Sequence, residues 1–315
     1  MQWLTRTPNF NFVKYRRVAM VGSTLLSLLA IVSVIYPGLN YGLDFTGGIL
    51  VEARYSAPPQ LDSIRTELSG AGFESVQVTG SGSDVLIRLP PPEGAEGADA
   101  SPEAVAALQD RVLEVLRAED PNVTILGAAN VGSQVGEELF ENAGLALLFA
   151  LILVFVYVML RFRWKLAVGA IVATIHDVLV TTGIFAVAGW TFDLTVLGSI
   201  LAVLGYSIND TIVVYDRVRD NFRLMRRGSP EAIVNAAVNQ TLARTLVTGV
   251  TTLLVLFALI FLGGETLWGF AVALVIGIVV GTYSSIYVAS SMALALKVEQ
   301  SDFVESKAVH VDELP

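Results

Sequence analysis

The amino-acid sequence predicts a polytopic α-helical membrane protein with six transmembrane helices. One external ferredoxin-like α+β domain, in the order βαββαβ, is predicted between the first and second helices. Hydrophobic residues make up 54% of the chain and charged residues only 16%, whereas a soluble domain carries about 25% charged residues. Six hydrophobic runs are long enough to cross about 30 Å of hydrocarbon, and one polar segment of the size of a small domain separates the first run from the second.

The predicted spans are residues 18–36, 139–160, 166–188, 194–215, 245–262 and 267–296. The first run follows Arg16 and Arg17, as the core of a signal peptide would. It is longer than a typical signal core, however, and the residues after it lack a small-x-small cleavage pattern. We therefore interpret the first run as a retained membrane anchor.

The distribution of basic residues predicts the orientation. Fourteen lysines and arginines precede the first span, follow the sixth, or lie between the second and third or the fourth and fifth spans. The short turns on the opposite side, near Gly189 and at 263–266, contain none. By the positive-inside rule, residues 1–17, the loop at 217–243 and the tail at 297–315 are predicted to be cytoplasmic.

The polar segment at 37–138 is then extracytoplasmic. It holds sixteen acidic and five basic residues, so it accounts for the net charge of −9 of the whole chain. Alternating and amphipathic patterns predict strands and helices in the ferredoxin-like order. The predicted strands are 48–55, 73–79, 84–89 and 121–131, the predicted helices are 61–71 and 102–118, and a loose loop is predicted at 90–100. This fold hosts many functions and implies no activity by itself.

Several function classes are disfavoured by composition. The chain has no cysteine and only two histidines, so a thiol nucleophile is excluded and a metal site would have to rest on carboxylates. No nucleophile and base converge in one motif, so we do not predict an enzyme. Nucleic-acid binding is not indicated either, because the arginines at 217–227 are explained by membrane topology.

Asp210 is the most informative polar residue, because it lies inside the fourth hydrophobic run with Ser207 and Asn209 in the same helical turn. A carboxylate in hydrocarbon costs about 3 kcal/mol on insertion scales, so such a group usually faces a bundle interior or a hydrated cavity. Asp210 is about 8 Å from the middle of its predicted span. The alternative is an acid near the cytoplasmic end that reaches the interface.

Two ionisable residues, His176 and Asp177, lie side by side at the centre of the third span. They are interpreted either as a proton relay or as a hydrogen-bonded pin between helices. Arg244 is predicted at the cytoplasmic start of the fifth span, where it either snorkels to the interface or offsets the charge of Asp210. In the sixth span, Gly277 and Gly281 form a small-xxx-small pair that allows close helix packing.

Four segments form a recognisable set: GLDFTGG at 42–48, the pair His176-Asp177, FDLTVLGSILAVLGYSINDTIVVYDRVRDNFR at 192–223, and LARTLVTGVTTL at 242–253. Together they closely resemble the SecF family, the smaller membrane subunits of the bacterial SecD–SecF protein-export complex. The resemblance covers essentially the whole chain. One departure is Ser133 in Val-Gly-Ser at 131–133, where Val-Gly-Pro is expected, and it puts only the junction of domain and second span in doubt.

The resemblance implies a multi-pass subunit of the bacterial cytoplasmic (inner) membrane that pairs with SecD, each corresponding to half of a resistance–nodulation–division transporter. It implies work with the SecYEG channel and the SecA motor on a translocating preprotein, with protons as the coupling ion and no other cofactor. The family's proton-carrying aspartate falls on Asp210 and its partner arginine on Arg244. Ser207, Asn209 and Thr211 would then order water beside Asp210.

Two other function classes stay open at this point. A non-catalytic scaffold that assembles the translocon would tolerate neutral residues at Asp210 and Arg244. The second class is half of a proton-driven small-molecule exporter, although such pumps generally carry twelve spans and larger external domains.

Overall fold

The fold is described from a computed structural model over residues 8–73, 76–90, 102–131, 133–225 and 228–303. Within these residues, six helices are long and apolar enough to cross a membrane, so the chain is a multi-pass membrane protein. The six spans are Val13–Gly38, Glu138–Arg161, Trp164–Ala188, Leu194–Leu224, Pro230–Leu262 and Leu267–Ala295.

The elements follow the chain as an anchor helix, a small sheet domain and a helical bundle. The helices are α1 (Arg16–Ser33), α2 (Leu43–Thr46), α3 (Leu61–Gly70), α4 (Pro102–Glu119), α5 (Ser133–Arg161), α6 (Trp164–Ala188), α7 (Leu194–Leu224), α8 (Pro230–Leu262), α9 (Gly264–Ser284) and α10 (Ser290–Ala295). The strands are β1 (Asn40–Tyr41), β2 (Gly48–Arg54), β3 (Gln77–Ser81), β4 (Asp84–Leu89), β5 (Thr124–Val131) and β6 (Thr191–Phe192).

The sheet domain has four strands in the order β3-β4-β2-β5, and every neighbouring pair is antiparallel. Residues of β2 and β4 alternate between core and surface, as a half-buried strand requires. Ile64 and Leu68 of α3 and Leu116 of α4 are fully buried with the inward side chains of the sheet, such as Val51. The turn between β3 and β4 is shorter than the predicted 80–83, because only Gly82, with φ of +64°, and Ser83 lie outside the strands.

The bundle is built around α6 and α7, about half of whose spanning residues are buried inside the chain. α9 packs against both helices and against α8. α5 is different, because only 6% of its spanning window is buried. Its apolar side chains therefore face outward, where lipid or another membrane protein would cover them.

The largest difference from the predicted boundaries lies between the fourth and fifth spans. α7 continues to Leu224, and α8 begins at Pro230, so the loop predicted at 217–243 is largely helical. Ser229 caps the start of α8, because its hydroxyl accepts a hydrogen bond from the amide of Ala232. Polar residues at 217–224 and 231–243 lower the hydropathy, so the predicted spans end or begin too near the bilayer centre. These residues continue the helices because none of them is a proline or a glycine.

The last span is not one regular helix. A π-helical turn, Ser285–Ala289, separates α9 from α10, and the hydroxyl of Tyr215 donates to the carbonyl of Ala289 at 2.9 Å. The extra residue of a π-turn frees carbonyl groups from the regular ladder, and this tyrosine uses one of them. Residues 91–100 of the loop predicted at 90–100, Ser101, Gly132 and the tail at 304–315 lie outside the described residues.

The small-residue pair of the sixth span marks the closest contact between α7 and α9. A Cβ added at Gly277 would overlap the side chain of Val203, whereas one added at Gly205 of α7 would meet nothing within 4 Å. We expect Gly277→Ala to destabilise the bundle by about 1–3 kcal/mol, because a β-branched neighbour cannot move away cheaply. Thermal unfolding of the detergent-solubilised chain measures this, with Gly205→Ala as the matched control. Equal melting temperatures for the two variants would contradict the close contact.

Candidate functional site

Asp177 is the centre of a buried polar cluster that joins three spans. One carboxylate oxygen, Oδ2, accepts hydrogen bonds from Ser207 Oγ at 2.5 Å and from Ser284 Oγ at 2.6 Å. The other oxygen, Oδ1, lies 2.9 Å from His176 Nδ1. Asp177 itself has no solvent exposure. A single carboxylate of α6 therefore holds α7 and α9 together at one point.

Helix geometry explains why these residues meet. A Cβ added at Gly281 of α9 would lie 3.5 Å from Asp177 Oδ2 and 3.3 Å from Ser207 Cβ, so the absence of a side chain there lets α9 approach. Ser284 is one turn further along the same helix face. Asp177 lies eleven residues before the end of α6, or about 16 Å along the helix, which is near the middle of a bilayer.

Asp210 lies one turn beyond Ser207 on α7, with only 2% of its surface exposed. Its Oδ2 is buried and forms no hydrogen bond with any described residue. Three other buried atoms also lack a hydrogen-bond partner among the described residues: Thr211 Oγ1, Tyr206 OH and His176 Nε2. Buried polar atoms are usually satisfied, so these four atoms are exceptions among the described residues.

The predicted ion pair between Asp210 and Arg244 is absent from this structure. Within the described residues, no salt bridge joins the two side chains. Arg244 is exposed, while its neighbour Thr245 is only 2% exposed. Successive residues of a helix are rotated by about 100°, so the arginine is on the outer face of α8. Arg244 lies in the interior of α8, because the helix that precedes the predicted span and the span itself form one continuous helix.

Asp210 and Arg244 lie at comparable depths along their two helices. Counted from Leu194 and from Leu262, on the same side of the bundle, Asp210 lies about 24 Å and Arg244 about 27 Å along their helices. A charge this close to the membrane surface can reach the interface by snorkelling. Pairing would require α8 to turn its outer face towards α7.

The other predicted site residues divide into two groups. Ser207 and His176 join Asp177, so Ser207 contacts a different aspartate from the one predicted. Asn209 is exposed, because it is rotated away from Asp210 on the helix surface. Sequence reasoning missed Ser284, although a run of hydroxyl-bearing residues at 282–285 in an apolar span was a usable signal.

The GLDFTGG segment forms the joint between the sheet domain and the bundle. β1 pairs in parallel with β6, and the amide of Gly42 donates to the carbonyl of Phe192 at 2.8 Å. The carboxylate of Asp44 accepts from the amide of Leu194 at 3.2 Å and from Arg88 Nη1 at 3.4 Å. Phe45 packs beneath this contact against Phe192. Asp44 thus links β4 of the sheet domain to the first turn of α7, the helix that carries Asp210.

We expect Asp44→Ala to loosen this joint, because the variant leaves one of the free amides at the start of α7 without its acceptor. A carboxylate in such a position contributes about 1 kcal/mol. Hydrogen exchange at the amide of Leu194 should therefore become about fivefold faster in the full chain. Asp84→Ala is the control, since Asp84 pairs with Arg54 within the sheet domain alone. Unchanged protection of the Leu194 amide in Asp44→Ala would show that the contact between Asp44 and Leu194 does not stabilise the start of α7.

Within the described residues, no group of three or more His, Cys, Asp or Glu side chains is placed to hold a metal ion. Asp177 and Asp210 are carboxylates buried inside the bundle, and Asp177 is held by side chains of three helices. The fold and site together define a multi-pass helical membrane protein with two carboxylates buried among its spans and a sheet domain jointed to the helix that carries one of them.

Comparison with known proteins narrows this class. The family model described as "Protein export membrane protein SecD/SecF, C-terminal" matches residues 111–299, and the "SecD/SecF GG Motif" matches residues 36–59. The chain is 42% identical to the protein translocase subunit SecF of Vibrio alginolyticus, over 100% of this chain and 99% of that one. It is also 42% identical to SecF of Pseudomonas aeruginosa, over 97% of each chain. The chain therefore belongs to the SecF family.

A solved structure supports the same assignment. The crystal structure of SecDF from Thermus thermophilus, named there a translocon-associated membrane protein, matches with a TM-score of 0.77 and 38% identity. The match covers 94% of this chain and 40% of the SecDF chain. The chain thus spans about two fifths of that larger protein.

Proposed function

We propose that this chain is a translocase subunit that acts with SecD and uses the proton-motive force to promote late-stage preprotein export. In this proposal, protonation and deprotonation of Asp210 are coupled to movement of the sheet domain. The chain acts as a proton-coupled subunit and not as an enzyme. The names of its relatives support the export role, and a relative that joins SecD and SecF in one chain supports SecD as the partner.

One observation carries the proton role: Asp210 is buried in a span, and its Oδ2 has no partner among the described residues. Asp177 differs, because both of its oxygens are occupied by side chains. A carboxylate without fixed partners can gain and lose a proton without breaking a hydrogen-bond network. The transfer of one proton across 100 mV releases about 2.3 kcal/mol, which is enough to shift a two-state equilibrium.

The joint at Asp44 offers a route from this proton to the sheet domain. Protonation at Asp210 would alter how α7 packs against α8 and Arg244, and the start of α7 is bonded to Asp44 and through it to Arg88. The order and directions of the strands support an external ferredoxin-like domain at the far end of this route. The two states would differ in whether Asp210 and Arg244 are paired.

The further partners follow from the export role. SecYEG with SecA would deliver the preprotein, the sheet domain would meet it outside the cytoplasmic membrane, and both termini would be cytoplasmic. No nucleic acid enters the proposal.

Proton flux into proteoliposomes that contain this chain with SecD tests the proposal. Wild type is compared with Asp210→Asn and Arg244→Ala at equal amounts of assembled complex. We expect a flux that requires an unfolded or exported polypeptide and that is lost in Asp210→Asn. Equal flux in all proteins, or none in any of them, would favour a non-catalytic scaffold and overturn the proton role.

A further inference from the structure

A basic cavity of about 700 Å³ opens at the end of the bundle where α5 finishes and α7 extends beyond the hydrophobic part of its span. Four guanidinium groups line it, those of Arg161, Arg163, Arg219 and Arg223. Arg219 and Arg223 are one helical turn apart, so both project from the same face of α7. Arg161 and Arg163 bracket the end of α5.

Among the described residues, two carboxylates form ion pairs with the cations at this cavity. Asp216 is shared, at 2.7 Å from Arg161 and 3.0 Å from Arg219. Asp302, the acid in the wall, is held by the ammonium group of Lys165 at 2.8 Å. Among the described residues, the four lining arginines and Lys165 meet these two carboxylates, which is an excess of three positive charges.

Two of the guanidinium groups have N–H donors without a hydrogen-bond partner among the described residues. The Nε of Arg219 is buried and donates to none of the described residues. Arg223 is exposed and makes no hydrogen bond within the described part of the chain. The positive-inside rule explains how many arginines lie on this side of the membrane. It does not explain why four arginines line one cavity. Nor does it explain why Arg219 Nε is buried without an acceptor among the described residues.

The chemistry that fits these donors is a phosphate group, because the planar guanidinium fork matches phosphate oxygens and forms short, charge-assisted hydrogen bonds. The cavity also has an apolar rim. Leu160 is 85% exposed at its edge, and Tyr157 and Leu153 continue the same exposed face along α5. A ligand with a phosphate in the cavity and a hydrocarbon chain along α5 would satisfy both features.

We propose that this cavity is a binding site for the phosphate headgroup of an anionic phospholipid, with its acyl chain lying on the outer face of α5. Basic pockets at the cytoplasmic ends of transmembrane helices are suited to such headgroups. The site involves neither Asp210 nor Asp177, so it stands or falls independently of the proton role.

The test is native mass spectrometry of the full chain in detergent, with phosphatidylglycerol titrated against a background of phosphatidylcholine. Arg223→Gln is compared with Arg217→Gln, an exposed arginine of the same helix that does not line the cavity. We expect Arg223→Gln to bind phosphatidylglycerol about fivefold more weakly, since one basic side chain near an anionic headgroup is worth about 1 kcal/mol. Arg217→Gln should bind it as wild type does.

Two further arms separate the sources of phosphate. Inorganic phosphate and glycerophosphoglycerol, which has the headgroup but no acyl chain, are added at the concentration that half-saturates the site with lipid. We expect neither to displace the lipid, because neither covers the apolar rim. Displacement by inorganic phosphate would reduce the cavity to a soluble-anion site, and equal losses in the two arginine variants would reduce it to general surface charge. Either result would overturn the proposal.

Discussion

We expect Asp210→Asn to reduce proton-gradient-driven preprotein release to the level seen without a gradient. The substitution keeps the size of the side chain and removes only its ability to ionise. Because Asp210 Oδ2 has no hydrogen-bond partner among the described residues, we expect the bundle of the variant to remain folded. The measurement is release of a preprotein from inverted membrane vesicles that contain SecYEG, SecD and the variant chain, with and without a proton gradient.

Asp220→Asn provides a matched control for this experiment. Asp220 is an acid of the same helix, ten residues further on, with no ion pair in the described part of the chain. It should respond to the gradient as wild type does. Gradient-dependent release by Asp210→Asn at the wild-type rate, with equal amounts of complex, would remove Asp210 from the mechanism. Partial release would contradict the expectation as well, since a single obligatory proton carrier leaves no residual coupling.

The sequence was sufficient to predict six spans and a small sheet, because the signals for these elements are physical and local. Runs of apolar residues set the spans, and alternation in β2 and β4 set the sheet, so element order was predictable. Boundaries were less predictable, as α8 shows. Hydropathy measures the cost of a residue in lipid, whereas a helix continues into water for as long as its backbone bonds are favourable. The polar first half of α8 therefore belongs to the same helix as the span.

The sequence singled out Asp177 and Asp210 as intramembrane carboxylates, but it did not predict which side chains surround them. An aspartate within a span is conspicuous in any sequence, so Asp177 and Asp210 were both identified. Which hydroxyl groups face them depends on the rotation of packed helices, which a single sequence does not encode. For that reason Ser207 was assigned to Asp210, and Ser284 was missed. The predicted pair of Asp210 with Arg244 is not formed in this structure, because Arg244 is exposed on the outer face of α8.

The joint at Asp44 was beyond sequence reasoning for a related reason. GLDFTGG was recognisable as a family signature, but its partner Leu194 lies 150 residues away in the chain. Nothing local shows that a strand of two residues will pair with the turn before α7. Only the closed bundle brings the segment to the helix that carries Asp210.

We expect Asp177 to act as a structural pin and not as a proton relay, and its variants should separate stability from flux. Asp177→Ala removes the acceptor of two serine hydroxyls in a fully buried place. Hydrogen bonds to charged groups contribute about 1.5–3 kcal/mol each, and interhelical bonds in membranes contribute less. A loss of about 2 kcal/mol in unfolding free energy is therefore expected, measured by reversible denaturation in mixed micelles.

Two comparisons make this test specific. Ser207→Ala should lower stability, whereas Ser199→Ala should not, because the buried hydroxyl of Ser199 bonds only to the Val196 carbonyl of its own helix. Asp177→Asn keeps an acceptor oxygen for the serines and cannot ionise. As a pin it should lose less stability than Asp177→Ala and retain wild-type proton flux per assembled complex. A stable Asp177→Asn protein without flux would instead make Asp177 part of the proton path, since the variant keeps an acceptor for the serines but cannot exchange a proton.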